Sequence, residues 1–400
     1  MRPSHALCVP RPADLSILPW LSAAAFAAGC GMRLLDPLLP MVAGDFGTTV
    51  GAASTVIAAF ALAYGAGQVV VGPVGDRQGK LRVVWLALLL YGLCTAACAL
   101  AWSLGAMVAL RVLTGAVAGA IIPVSIAWIG DNVPYQDRQA MLGRFLTGMV
   151  LAQLLAGPVS GVVGEHFGWR ASFLVLGVMA LVVALALALR LGGALWRKPE
   201  RAEGGGGVAG YYAILRRRTG RRLLAAAFID GFCLFGGAFP FIGAYLIERF
   251  HLSAAEAGFV VAGFGIGAFA YTRLARWLIG RFGERGLILI GGVALFGLLG
   301  AMAVAPVWWL VAGLQVPAGL AFFAFHGVLQ TRATEALPEA RATAVSAFAM
   351  ALFFGQSLGS LGFGLVIGLA GYGAGLGLAA LVVLALAIWT QRVLFARPAG

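Results

Sequence analysis

Twelve long apolar runs, separated by short polar stretches, make up nearly all of this 400-residue chain. They lie at roughly 16–39, 50–72, 82–101, 104–129, 140–164, 171–192, 222–246, 255–279, 286–305, 307–331, 341–368 and 373–395. Each is about as long as the roughly 20 apolar residues that cross the hydrocarbon core of a bilayer. The runs are continuous rather than alternating with a period of two, which predicts helices and argues against a membrane β-barrel. The expected fold is an all-α membrane protein with twelve transmembrane helices in two pseudo-symmetric six-helix bundles.

The longest polar stretch, roughly 193–221, divides the runs six and six. It holds Arg197, Lys198, the glycines 204–207 and the triplet Arg216-Arg217-Arg218. This reads as a flexible linker followed by a basic segment facing anionic lipid. A nucleic-acid arm is the competing reading. The expected organisation is a bundle over 1–192, a linker over 193–221 and a second bundle over 222–400. The halves resemble each other at an offset of about 204 residues. Arg77 and Gly79 fall on Arg281 and Gly283, Pro134 falls on Pro338, and Arg111 falls on Gln315. Internally repeated halves are a recurrent transporter design.

Composition agrees with a lipid solvent. Hydrophobic residues are 61%, charged residues 11% and the mean hydropathy is +0.95, whereas soluble domains carry about 25% charge. The net charge of +13 sits in short loops, so it speaks for topology rather than nucleic acid. With the N-terminus inside, Arg170 and Arg249 face the other side and Arg33 and Arg111 fall within runs. The remaining 24 of 28 Lys and Arg are cytoplasmic, which predicts that both termini and the linker are too. Tryptophans such as Trp20, Trp102, Trp128, Trp169, Trp196 and Trp308 lie near run ends, where an aromatic belt belongs. No apolar run precedes about residue 15, so no cleavable signal peptide is expected. Of the five cysteines, Cys8, Cys30, Cys94, Cys98 and Cys233, none forms a CxxC pair. Cys94 and Cys98 read as packing residues on one helix face rather than a metal site.

One polar turn stands out, Gly72-Pro73-Val74-Gly75-Asp76-Arg77-Gln78-Gly79-Lys80-Leu81-Arg82. It joins the second and third runs with almost no slack. Gly72 and Gly75 permit close helix approach, and Gly79 can take positive φ. Arg77, Lys80 and Arg82 are cations at a membrane edge, with Asp76 able to pair with Arg77 or Arg82. An ordinary basic loop is the plain alternative. The stretch resembles the helix 2–3 signature of the major facilitator superfamily, which Gly72, Gly75, Asp76, Arg77, Gly79 and Lys80 match. Leu81 departs from it, and Arg82 supplies a cation one place later. Arg111-Val112-Leu113-Thr114-Gly115 with Gly119 resembles that family's helix 4 signature. Gly157-Pro158-Val159-Ser160-Gly161 resembles the helix 5 signature found mainly in its antiporters, with Val162 in place of a second glycine. Leu38-Leu39-Pro40 before Ala43-Gly44-Asp45-Phe46-Gly47 resembles the end of helix 1 in its drug-efflux branch.

Five ionisable residues fall inside runs: Arg33, Asp36, Arg111, Asp230 and His326. Such groups cost about 2.5–3.5 kcal/mol each at a helix centre on insertion scales, so each is a candidate functional residue. Arg33 and Asp36 are three apart and can pair. Pro37 frees a carbonyl one turn back and loosens the helix there. The resemblance places helices 1, 4, 7 and 10 around a central cavity, which makes Asp36 with Arg111 a candidate inter-helix pair. Asp230, about two turns into helix 7, and His326 of helix 10 are candidates for proton coupling. The plain alternatives are interfacial acids and a packing histidine. The turn residues, with Asp131, form a candidate gate, in which Asp76 and Arg77 hold the cytoplasmic ends together through Arg82, Asp131 and the start of helix 11. Gly115, Gly119, Gly157, Pro158 and Gly161 are expected to serve helix packing.

No HExxH, GxSxG or GxxxxGK[ST] motif is present. An enzyme, a metal site and a cofactor are therefore not expected. The resemblance implies secondary transport by alternating access, with proton-coupled efflux of a small, partly hydrophobic compound. A proton-coupled importer is the alternative, and a non-transporting scaffold a more distant one. The expected partners are a small-molecule substrate, protons and membrane lipid, with no nucleic acid. The expected setting is a monomer in a bacterial inner membrane.

Overall fold

The computed structural model describes residues 15–196, 207–337 and 341–395, and every regular element among them is helical. The first half comprises α1 (Leu18–Arg33), α2 (Leu39–Asp45), α3 (Val50–Ala53), α4 (Thr55–Gln78), α5 (Lys80–Cys98), α6 (Leu104–Asn132), α7 (Tyr135–Phe167) and α8 (Trp169–Leu191). Then follow α9 (Gly207–Arg216), α10 (Arg218–Asp230), α11 (Phe239–Phe250), α12 (Ala254–Ala303), α13 (Trp308–Glu335) and α14 (Arg341–Leu394).

Twelve crossings emerge from these helices by length. At 50 and 54 residues, α12 and α14 would each extend more than twice the thickness of a bilayer core if straight, given about 1.5 Å per residue. Both reverse at a single glycine, Gly283 with φ 63° and Gly371 with φ 82°. Each therefore contributes two crossings. The corresponding turns of the first half fall at Gly79, φ 90°, and Gly168, φ 82°. A side chain at such φ clashes with its own backbone, so glycine lets two helices join without a loop. The repeat offset reaches into the packing as well. Gly115 of α6 lies on the carbonyl of Phe60, and Gly319 of α13, 204 residues later, lies on the carbonyl of Phe264.

Three departures from the sequence reading have local causes. The first apolar run is not one helix. It breaks after Arg33, and the amides of Asp36 and Leu38 bond the carbonyls of Arg33 and Leu35 at 3.1 and 3.0 Å. Pro37 supplies no N–H, so tighter three-residue bonds replace the helical ladder. The seventh crossing joins α10 to α11 through a π-helical stretch, Gly231–Ala238. The linker contains α9, because Ile214 finds a buried site against Leu337, Ala344 and Ala347. Residues 197–206 of the linker, and Pro338, lie outside the described residues.

One side of the bundle carries the linker and the turns at Gly79 and Gly283; this is the linker side, and the other is the opposite side. The halves meet along α7 with α12 and α4 with α14. Gly161 packs on the Ala254 carbonyl, Gly157 against Gly258, and Gly265 against the Leu154 backbone. Ser54 donates to the Ser360 carbonyl at 2.8 Å, and Gly243 of α11 sits on the Asp36 carbonyl. These seams run from the opposite side toward the middle of the bundle. With little hydrophobic drive between helices in lipid, small residues that let backbones approach supply the adhesion.

Candidate functional site

Asp230 ends α10 where the π-helical stretch begins, and His326 lies on α13, 96 residues later. Their side chains meet at 2.6 Å, Nδ1 to Oδ2. Asp230 is fully buried and His326 is 7% exposed. Among the described residues the other carboxylate oxygen, Oδ1, has no hydrogen-bond partner. A π turn widens the helix by one residue and is frequent at functional sites; here it follows directly on the buried acid. The imidazole stacks on Phe322 with ring centroids 5.0 Å apart and 13° between planes, and Phe235 and Phe348 flank it at 5.3 and 5.9 Å. In so apolar a setting each member of the pair depends on the other for a polar partner. Sequence reading singled out both residues without joining them, because nothing in the spacing of two distant helices gives their contact.

In the first half, Arg33 and Asp36 pair at 3.1 Å across the break after α1. Asp36 is 2% exposed. Arg111 is not its partner, contrary to the expectation of an inter-helix pair. The Arg111 guanidinium donates to the Gly31 carbonyl at 3.1 Å and to the Val56 carbonyl at 3.5 Å, and lies 4.1 Å above the Phe60 ring. It ties α1, α4 and α6 together at their core. The broken helix explains this: carbonyls near its end become acceptors for a buried cation, while Asp36 is drawn to the arginine on its own turn.

The two ion-capable pairs are bridged by rings. Arg33 reaches across the halves to lie 5.5 Å from the Phe264 ring. Phe264 contacts Phe322 at 5.5 Å, and Phe322 stacks on His326. Aromatic runs alone gave no reason to prefer Phe264 and Phe322 over other phenylalanines.

At the linker side the turn is tighter than expected, with Gly79 its only non-helical residue and its amide bonded to the Gly75 carbonyl at 3.0 Å. Asp131, expected to hold Asp76 and Arg77 in place, is instead ion-paired to Lys80. Arg82 lies over Trp196 at 5.1 Å, and Arg77 is exposed at the end of α4. The side chain of Asp76 and the surroundings of Gly72 are outside the described residues. Gly75 faces Val124 of α6, and Gly119 lies on the Tyr64 carbonyl. Pro158 lies inside α7 between the two glycines that meet α12. Among the described residues no group of three or more His, Cys, Asp or Glu could hold a metal.

The family model for the Major Facilitator Superfamily matches residues 21–249 and 223–400. The chain belongs to this superfamily. It is 26% identical over 341 residues to the uncharacterized MFS-type transporter YceJ of Bacillus subtilis, covering 84% of this chain and 85% of that protein. Shorter matches include the probable multidrug resistance protein EmrY of Escherichia coli, 26% identical over 42% of this chain and 34% of that protein. Another is the 4-hydroxybenzoate transporter PcaK of Pseudomonas aeruginosa, 27% identical over 50% of this chain and 41% of that protein. The fold matches the crystal structure of a bacterial homolog of the human lysosomal transporter Spinster, inward-facing and unoccupied. Its TM-score is 0.76 at 19% identity, with 97% of each chain covered. This superfamily member is a multi-pass membrane transporter of small molecules, not an enzyme.

Proposed function

We propose that the protein is a proton-coupled exporter of a small, partly hydrophobic compound, working by alternating access, with Asp230 and His326 as its proton-carrying pair. The buried 2.6 Å contact between them is the observation that carries this reading. With the imidazole protonated the pair is neutral overall. With the proton gone, an aspartate charge stays in an apolar site, which is costly unless water reaches it. Histidine is the side chain most often used to carry protons in proteins. Loss of the proton thus favours the conformation that hydrates the pair, and this links proton occupancy to the side that is open. Arg33 and Asp36, one aromatic bridge away, are the pair through which a bound solute could sense that change. Similarity to EmrY supports efflux. In this reading the linker side is cytoplasmic, the cell membrane is a bacterial inner membrane, the unit is a monomer, and the closed opposite side makes the conformation inward-facing.

Similarity to PcaK favours a second reading, in which the same proton chemistry drives import. A thermal-shift screen of purified protein would find a solute, because a ligand of the native state raises its apparent stability. Oriented proteoliposomes, loaded with that solute and given acid outside, then test the reading. Accelerated solute exit is expected, and solute accumulation inside would instead establish import. Asp230→Asn and His326→Gln should each abolish gradient-driven flux while sparing downhill exchange. Full gradient-driven flux in both variants would remove the pair from the mechanism.

A further inference from the structure

The seam between α4 and α14 can be followed pair by pair, since the two helices run antiparallel. From the opposite side, Gly51 of α3 meets the Gly364 backbone, Ser54 just ahead of α4 donates to the Ser360 carbonyl at 2.8 Å, and Tyr64 of α4 lies 4.2 Å from Phe353, ring to ring. Steps toward the linker side along α4 are steps back along α14. One turn beyond Tyr64 lies Gln68, and about two turns before Phe353 lies Ser346. Tyr211 of α9 stands between them, its hydroxyl donating to the Gln68 carbonyl at 3.2 Å and lying beside the Ser346 side chain.

α9 is built into the second half. Ile214 is buried among Leu337, Ala344 and Ala347, and Gly210 packs so closely on Thr343 that a Cβ there would lie 2.9 Å from it. Arg221 donates to the carbonyls of Leu215 and Arg216 at 3.0 and 3.1 Å, and so caps the C-terminus of α9. Arg217 donates to the Ala336 carbonyl at the end of α13, at 3.4 Å. The helix is thus fixed to the second half at several points and reaches the first half through Tyr211.

We propose that α9 is a wedge that sets the separation of α4 and α14 on the linker side, and that Tyr211 must release Gln68 before that side can close. This rests on the alternating-access reading, in which the halves rock about a central site and each side closes in turn. Packed interiors do not interpenetrate, so α4 cannot approach α14 at this level while the Tyr211 ring occupies the space. The phenol–carbonyl bond makes the wedge releasable, and the anchoring of α9 to α14 returns it to the same place. The linker then does more than connect the halves: its helix biases the resting protein toward the state with the linker side open.

Spin labels at Gln78→Cys and Arg341→Cys, in the full chain without its native cysteines and reconstituted in nanodiscs, report the linker-side separation of α4 and α14. Tyr211→Phe keeps the ring and loses the bond, and should raise the ratio of short-distance to long-distance populations about 2- to 10-fold, the equivalent of one ordinary hydrogen bond. Tyr211→Ala removes the ring as well and should shift it further. Distance distributions that match the parent in both variants, with both proteins eluting as folded species, would overturn the wedge. Absence of flux in the parent protein would count against the transport reading alone, since the distance measurement needs no solute.

Discussion

Glu284 holds in the second half the place that Lys80 holds in the first, with the sign of the charge reversed. Lys80 opens α5 just after Gly79 and is ion-paired to Asp131 near the end of α6. Glu284 follows Gly283 and pairs with Arg332 near the end of α13 at 2.6 Å. A helix N-terminus favours an anion and a C-terminus a cation. The second-half pair agrees with both helix dipoles and the first-half pair opposes both. Glu284→Gln should therefore lower the melting temperature more than Lys80→Gln, by the equivalent of about 0.3–1 kcal/mol. Thermal unfolding in detergent at low and high salt checks this; equal losses would contradict the dipole account.

Arg111 acts as a strut. Its donors meet carbonyls of α1 and α4, and its charge is placed over Phe60. Arg111→Lys loses the planar fork that reaches both carbonyls. One or two hydrogen bonds from a charged group are removed, each worth about 1.5–3 kcal/mol. The expected result is a marked fall in thermal stability, with the pH dependence of any remaining flux unchanged. A stable Arg111→Lys protein with an altered pH profile would return Arg111 to the proton pathway.

Gly243 seals the opposite side, since it rests on the Asp36 carbonyl in the turn between α1 and α2. Gly243→Ala puts a methyl into that backbone contact and should push α11 away from the turn. A cysteine at Val50, which is buried and lines the cavity there, should then react severalfold faster with a water-soluble thiol reagent. Unchanged reactivity would place the seal elsewhere, at the α7–α12 seam.

The distribution of cations predicts that the linker side is cytoplasmic. A cysteine at Gly205 in a cysteine-free background should resist an impermeant thiol reagent in intact cells and react after lysis. Ready labelling in intact cells would reverse the topology.

Most of the architecture is legible in the sequence, for a physical reason. A bilayer demands long apolar runs with every backbone group bonded within its own segment, so twelve runs announce twelve helical crossings. The repeat was legible at Gly79 and Gly283, because a one-residue reversal needs positive φ and only glycine takes it cheaply. Buried charges were legible as candidates, because their cost in lipid makes them rare.

Partnership was not legible. Arg33, Asp36 and Arg111 could be paired in two ways on spacing, and the choice of Arg33 follows from the break at Pro37, which turns the carbonyl of Gly31 toward Arg111. Lys80 rather than Arg77 or Arg82 took Asp131, since neighbouring cations at a helix start differ in direction and not in chemistry. The meeting of Asp230 with His326 and of Tyr211 with Gln68 spans 96 and 143 residues. Periodicity along a chain states which face of each helix seeks cover. It does not state which other helix provides that cover, or at what depth, and tertiary packing alone decides both.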